Sequence, residues 1–162
     1  MTQIKIKNHL VGHGCPPFIV AEAGINHNGN VDTAFKMIKL AKKSGVDAIK
    51  FQTFKAKEVV ADSKQMFTYK SQDKEITEPM LEMLKRCELS RDAWIDIKNK
   101  CDEEKIMFLS TPQNNSDLDL LLELEETLEK AKNEKRPESN ILSPPQYSFL
   151  KKHFFVLNIC FE

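Results

Sequence analysis

Glycine is scarce in this chain: there are five in 162 residues, and none follows Gly45. An α/β protein ordinarily places glycine at helix C-caps and strand-to-helix turns, so its absence beyond Gly45 is odd for a long series of βαβ units. Net charge is missing too. Lys+Arg and Asp+Glu both number 24, which gives no support for a nucleic-acid or polyanion partner while leaving room for a local basic pocket. No apolar run approaches a membrane span, and Met1 to Leu10 alternates lysine with isoleucine without the apolar core of a signal peptide. The cysteines, at positions 15, 87, 101 and 160, form no C-x-x-C pair and no metal-ligand spacing. Reduced thiols and a cytoplasmic setting are therefore expected. What is present is globular: 41% hydrophobic and 30% charged residues, enough for one domain with a real core.

Taken in order, residues 4 to 7 suit a short strand, and Gly12, Gly14, Pro16 and Pro17 break the chain. Phe18 to Gly24 is a compact apolar run that predicts a central strand, with Phe18, Val20 and Glu22 on one face. Ile25 to Asn30 is turn-rich, with a positive-φ position at Asn28-Gly29. Val31, Ala34, Phe35, Ile38 and Ala41 recur at helical spacing up to Ser44-Gly45. Val46 to Phe54 then reads as a second strand. Strand, helix and strand in about forty residues make a βαβ unit with parallel strands. Lys55 to Glu75 lacks a period and predicts a long loop. Thr77 to Leu89 predicts a helix with Pro79 in its first turn, and Ser90 caps another bearing Trp94, Ile97 and Cys101. Ile106 to Thr111 is the third strong strand, followed by a helix from about Asp117 with Leu118, Leu121, Leu122 and Leu124 suiting its inner face. Beyond Leu124 charge dominates and prolines interrupt. Phe154 to Ile159 suits a strand unlike the earlier units.

One strand carries an anomaly. Side chains alternate, so Ile49 and Phe51 share the face that packs on helices, while Ala48, Lys50 and Gln52 share the other. A buried ammonium must find a partner, so that face either meets water at a sheet edge or opens into an anion site. Three parallel strands put their carboxyl ends on one rim, where ligands bind in barrels and open sheets alike. Glu22, Lys50, Gln52, Ser110 and Thr111 sit there. Lysine can hold phosphate or carboxylate; Gln52 and Thr111 can donate hydrogen bonds; Glu22 can accept from sugar hydroxyls or move a proton. A plain ion pair between Glu22 and Lys50 is the alternative. His27 follows the first strand and either contacts substrate or serves the turn.

Three motifs point to a family. Phe18-Ile-Val-Ala-Glu-Ala-Gly-Ile-Asn-His-Asn-Gly, Asp47-Ala-Ile-Lys-Phe-Gln-Thr-Phe and Phe108-Leu-Ser-Thr-Pro resemble the N-terminal signature of the sialic acid synthases, which include the N-acetylneuraminate, legionaminate and pseudaminate enzymes. The resemblance covers roughly residues 15 to 124. It implies a (β/α)₈ TIM barrel that condenses phosphoenolpyruvate with an N-acetylated amino sugar, using Mn²⁺ or Mg²⁺, in a homodimer. By that resemblance the metal polarises the sugar aldehyde, C3 of phosphoenolpyruvate attacks it, water adds at C2 and phosphate leaves by C–O cleavage. Lys50 and Thr111 would hold phosphoenolpyruvate, Glu22 and Gln52 would orient the sugar, with Glu22 catalytic, and His27 would be a neighbour on the same rim.

The departures shape the remaining expectations. The family's metal-binding histidines, its later strands and its C-terminal antifreeze-like domain are not recognisable in this chain. A TIM barrel takes about 250 residues. The expectation is thus a partial barrel of about three βα units over residues 1–124, then an atypical helical and irregular tail over 125–162. The first and third strands would have open edges, and the chain would have little synthase activity alone. Two other functions compete with the synthase: a phosphosugar-binding module without turnover, and an interaction fragment that recruits a partner or a second copy.

Overall fold

The computed structural model describes residues 3–71, 74–132 and 154–158. Its centre is a four-stranded parallel sheet. Strands β3 (Phe18–Gly24) and β4 (Ala48–Thr53) flank helix α1 (Val31–Lys43), which forms for the reasons the sequence suggests. The Asn30 side chain accepts a hydrogen bond from the Thr33 N–H at 2.8 Å, satisfying one otherwise orphaned donor at the helix start. Ala34, Met37, Ile38 and Ala41 line its buried stripe. Gly45, at φ +76°, then takes the left-handed turn that releases the chain toward β4. Asp47 begins that turn back into the sheet by accepting the Ile19 N–H on its carboxylate at 2.7 Å.

Strand β7 (Met107–Pro112) pairs with the far side of β4, behind helix α4 (Arg91–Glu103). Ser90 caps α4 by accepting the Ala93 N–H at 3.2 Å, and Trp94, Ile97 and Cys101 are buried along it as the spacing predicts. Helix α5 (Asn115–Lys132) follows β7 and runs straight through position 124; Leu121 and Leu124 face the core together with Leu120, whereas Leu118 and Leu122, expected inward, are exposed. The helices cover one face of the sheet. Ile49 and Phe51, both fully buried, meet Met37, Ile38, Trp94 and Ile97 there, and this is the main core. Burying side chains of that size contributes about 1.5–3 kcal/mol each, so this layer carries most of the stability.

Four further features differ from the sequence expectations. First, residues 3–12 form a hairpin, β1 (Gln3–Ile6) with β2 (His9–Gly12), rather than one short strand. Its Val11, Ile4 and Ile6 pack against Phe18, Val20 and Ala48 and close the amino end of the sheet's second face. Second, Lys55–Glu75 is not a plain loop. It contains the single turn α2 (Ala56–Val59), strand β5 (Met66–Ser71) and the start of β6 (Lys74–Pro79). In the β5–β6 ladder Thr68 stands opposite Thr77 and Tyr69 opposite Ile76, and the charged residues of the stretch mask the alternation that would announce it. Third, Thr77 to Pro79 belong to β6, and helix α3 is shorter than predicted, Met80–Cys87. Proline ends the strand and no helix residue precedes it.

The fourth difference concerns the edge of the first parallel strand. It is not open: β8 (Phe154–Asn158) pairs with β3 in parallel, Phe18 opposite Phe154 and Glu22 opposite Asn158. The strand order is β7-β4-β3-β8. Residues 133–153 and 159–162, which hold the rest of the expected irregular tail, lie outside the described residues.

Candidate active site

The strands' second face divides into two halves. At the amino end it is apolar and sealed by the hairpin. At the carboxyl end the same alternation brings up Glu22, Lys50 and Gln52, and there the apolar cover stops. Glu22 and Lys50 are direct partners in the β3–β4 register, and Gln52 is opposite Thr111 in the β4–β7 register. Register alone thus assembles four of the five residues picked out in the sequence.

The Lys50 ammonium lies 2.5 Å from Glu22 Oε2, with the side chains 33% and 18% exposed. Oε1 of Glu22 accepts the Gly24 N–H at 3.2 Å. Gly24 has φ +53°, and a side chain there would stand 3.7 Å from Gln52 Nε2 and 3.8 Å from Glu22 Oε1. Glycine here keeps the backbone close to the charged pair without blocking it. The pair is half-buried and hydrogen-bonded, yet reachable by water. Thr111 is exposed beside it. Ser110 faces the helix side instead, where its hydroxyl and that of Thr53 share a 2.6 Å hydrogen bond.

His27 is not brought to this group. It is fully buried, tilted against Phe51 at 6.0 Å and edge-on to Trp94 at 6.2 Å between ring centroids, on the helix side of the sheet. Its Nδ1 accepts the Gly29 N–H at 3.1 Å, which assigns the proton of the neutral ring to Nε2. That Nε2 is buried without a hydrogen-bond partner. Burial disfavours the cation and pushes the pKa down from 6.5 to about 4. The loop is pinned at Gly29 as well, where a β-carbon would fall 2.1 Å from the Arg86 carbonyl oxygen. His27 is a neutral wedge beneath the rim.

A broad open cleft of about 810 Å³ lies elsewhere, lined by Lys55, Lys57, Glu58, Lys85, Glu88 and Ser116 among others. Its charges largely answer one another: Lys55 bonds Glu88 at 3.2 Å and Ser116 bonds Glu58 at 3.0 Å. Size alone does not make it the site. The Glu22–Lys50 group, unlike the cleft, joins a lysine, a carboxylate and neutral hydrogen-bonding side chains at the carboxyl ends of the parallel strands.

Comparison with known proteins decides the family. The sequence profile of the NeuB family matches residues 37–140. The chain belongs to the NeuB family. A N,N'-diacetyllegionaminic acid synthase of Campylobacter jejuni is 39% identical over 106 residues, 65% of this chain and 32% of that enzyme. The crystal structure of the Bacillus subtilis spore coat polysaccharide biosynthesis protein SpsE is 33% identical with a TM-score of 0.55, over 76% of this chain and 31% of that one. The N-acetylneuraminic acid synthetase of Leptospira borgpetersenii, solved with citrate, shares the fold at a TM-score of 0.65 and 23% identity, over 99% of this chain and 60% of its own. The chain spans about a third of the length of the curated relatives it matches. As a NeuB-family member its relatives are sialic-acid-type synthases, and no helix among its described residues is long and apolar enough to cross a membrane.

Proposed function

We propose that this NeuB-family chain supplies the substrate-binding rim of a partial (β/α)₈ barrel that handles phosphoenolpyruvate and an N-acetylated amino sugar of the N-acetylmannosamine type, chemistry that leads to a nonulosonic acid and free phosphate. The observation that carries it is the Glu22–Lys50 pair, standing half-exposed at the carboxyl ends of β3 and β4 with Gln52 and Thr111 beside it. Lys50 binds the phosphate or carboxylate of phosphoenolpyruvate, and the Thr111 hydroxyl donates to the same anion. An arriving anion competes with Glu22 for the ammonium. The carboxylate so released accepts a sugar hydroxyl or takes a proton near the reacting carbon, and the Gln52 amide fixes the sugar's orientation. His27 holds the loop behind Glu22 and touches no substrate.

The family's divalent cation does not fit the residues at hand. Glu22 offers one carboxylate, already engaged by Lys50 and the Gly24 N–H, and among the described residues no three His, Cys, Asp or Glu side chains converge. This chain by itself binds phosphoenolpyruvate but turns over little. Its free Cys15, Cys87 and Cys101 suit a reducing cytoplasm.

The test is a pair of assays on the purified 162-residue chain. Calorimetric titration with phosphoenolpyruvate is expected to show binding that Lys50→Met weakens roughly ten- to a hundredfold. A phosphate-release assay with N-acetylmannosamine and Mn²⁺ is expected to stay at background. No binding in the wild type would sink the site, whereas sugar-dependent phosphate release would sink the claim of little turnover alone.

A further inference from the structure

Among the described residues, the buried side-chain atoms without a hydrogen-bond partner are His27 Nε2, Asn114 Nδ2 and Asp117 Oδ2. The first is packed against aromatic rings. The other two belong to one turn, between β7 and the first turn of α5. Asn114 caps that helix, its Oδ1 accepting the Asp117 N–H at 3.0 Å. The cap accounts for Oδ1 and leaves Nδ2 as a donor without an acceptor. Asp117 is 1% exposed, and its Oδ2 is an acceptor without a donor. Buried polar groups are ordinarily paired, so a donor and an acceptor left over in one turn call for a group that answers both.

That turn stands at the outer cleft. The Ser116 hydroxyl lies 2.8 Å from Asn114 Oδ1 and 3.0 Å from Glu58 Oε2, and both Ser116 and Glu58 line the cleft. Asp117 is tied to it too. Burial pushes its carboxyl above the usual range against the Gln113 and Asn114 backbone groups, and Glu58 and Lys55 of the cleft act on it in opposite senses. The volume of about 810 Å³ is that of a small-molecule site. Charge narrows the occupant. A cation would meet the Asn114 amide donor, Lys55 and the positive end of α5, and an anion would meet Asp117 and Glu58. A neutral hydroxyl accepts one hydrogen bond and donates another, so hydroxyls suit both atoms. Lys55, Lys57 and Glu88 supply further donors and acceptors along the cleft wall, and Leu89 adds an apolar patch.

We propose that the outer cleft binds a neutral polyhydroxylated molecule, a sugar or polyol, whose hydroxyls accept from Asn114 Nδ2 and donate to Asp117 Oδ2. Entry parts the exposed Ser116–Glu58 bond, and both groups then turn to the ligand. This site is separate from the Glu22–Lys50 rim and is told from it by charge: the rim takes an anion, the cleft a neutral ligand. It does not depend on what the rim binds.

Amide ¹H–¹⁵N correlation titrations of the full chain with N-acetylmannosamine, glycerol and phosphoenolpyruvate test it. Saturable shifts are expected at Glu58 and at Asn115 to Asp117 with the sugar or the polyol, and none there with phosphoenolpyruvate. Absence of saturation up to tens of millimolar, which would leave the turn a helix cap with water only, overturns the proposal. So do equal shifts with phosphoenolpyruvate, or sugar shifts confined to Gly24 and Gln52 of the rim. Asn114→Asp keeps the helix cap and removes the donor, and is expected to weaken binding read at these amides about tenfold. Unchanged affinity in that variant, folded by circular dichroism, overturns the site. Should it unfold, Asp117→Asn, which replaces the unpaired acceptor by a donor at nearly constant shape, is judged on the same loss.

Discussion

The two ends of one sheet face behave as different materials. At the amino end, Phe18, Val20 and Ala48 are almost wholly buried beneath the hairpin residue Val11. Two residues further along the same strands, Glu22 and Lys50 share a half-exposed ion pair. Strand alternation places all of them on one face, so secondary structure does not separate them. Cover does. The hairpin lies on one end and, among the described residues, no comparable apolar layer lies on the other, and the side-chain chemistry follows that boundary.

The largest effect is expected where the seal is broken. Phe18→Ala should lower unfolding free energy by about 3–5 kcal/mol, read by denaturant titration, because a fully buried ring leaves a cavity under the hairpin. Lys50→Met should change stability by less than about 1 kcal/mol, since a partly exposed pair contributes little. If the two variants lost equal stability, the contrast between the ends would collapse.

Next comes pH. The pKa of His27 is lowered from 6.5 to about 4 in the folded chain. Between those values the unfolded chain binds a proton that the folded one does not, so stability rises with pH across that window. The contribution is intact above about pH 6.5 and is lost as pH falls toward 4, amounting to roughly 3 kcal/mol. Replacing His27 with Gln should remove that part of the slope in urea titrations at stepped pH. An unchanged slope would return His27 to the solvent-facing rim.

Binding effects are smaller in energy and confined to the other end. Lys50→Met should weaken phosphoenolpyruvate binding by about 1.5–3 kcal/mol, roughly ten- to a hundredfold by calorimetry. Thr111→Ala should cost about 0.5–1.5 kcal/mol, the range for one neutral hydrogen bond, with the melting temperature unmoved. Equal losses from both would mean that charge does not dominate the site.

Much of this was legible in the residues. The Ala48–Thr53 strand, the α1 stripe and the α4 stripe rest on local period and caps, which one sequence displays. The common face of Lys50 and Gln52, and the shared rim with Glu22 and Thr111, followed from strand parity once the strands were parallel, whereas the register that sets Glu22 beside Lys50 and Gln52 beside Thr111 is visible only in the structure. Three things were not readable that way. Both antiparallel hairpins depend on partners across the ladder, and charged residues in 55–75 masked the alternation of Phe67 and Tyr69. The pairing of β8 with β3 spans more than a hundred residues, and the sequence of β8 contains no trace of its neighbour. His27 sits in a loop of turn-forming residues, and only tertiary packing against Phe51 and Trp94 reveals that the ring points inward.

The most direct measurement is an amide ¹H–¹⁵N correlation titration of the chain with phosphoenolpyruvate. Perturbations are predicted at Gly24, Lys50 to Gln52 and Thr111, with Val11 and Val20 unmoved. Shifts concentrated instead at Lys55, Lys57 and Lys85, around the open outer cleft, or at the sealed amino end, would contradict the assignment of the Glu22–Lys50 rim as the ligand site.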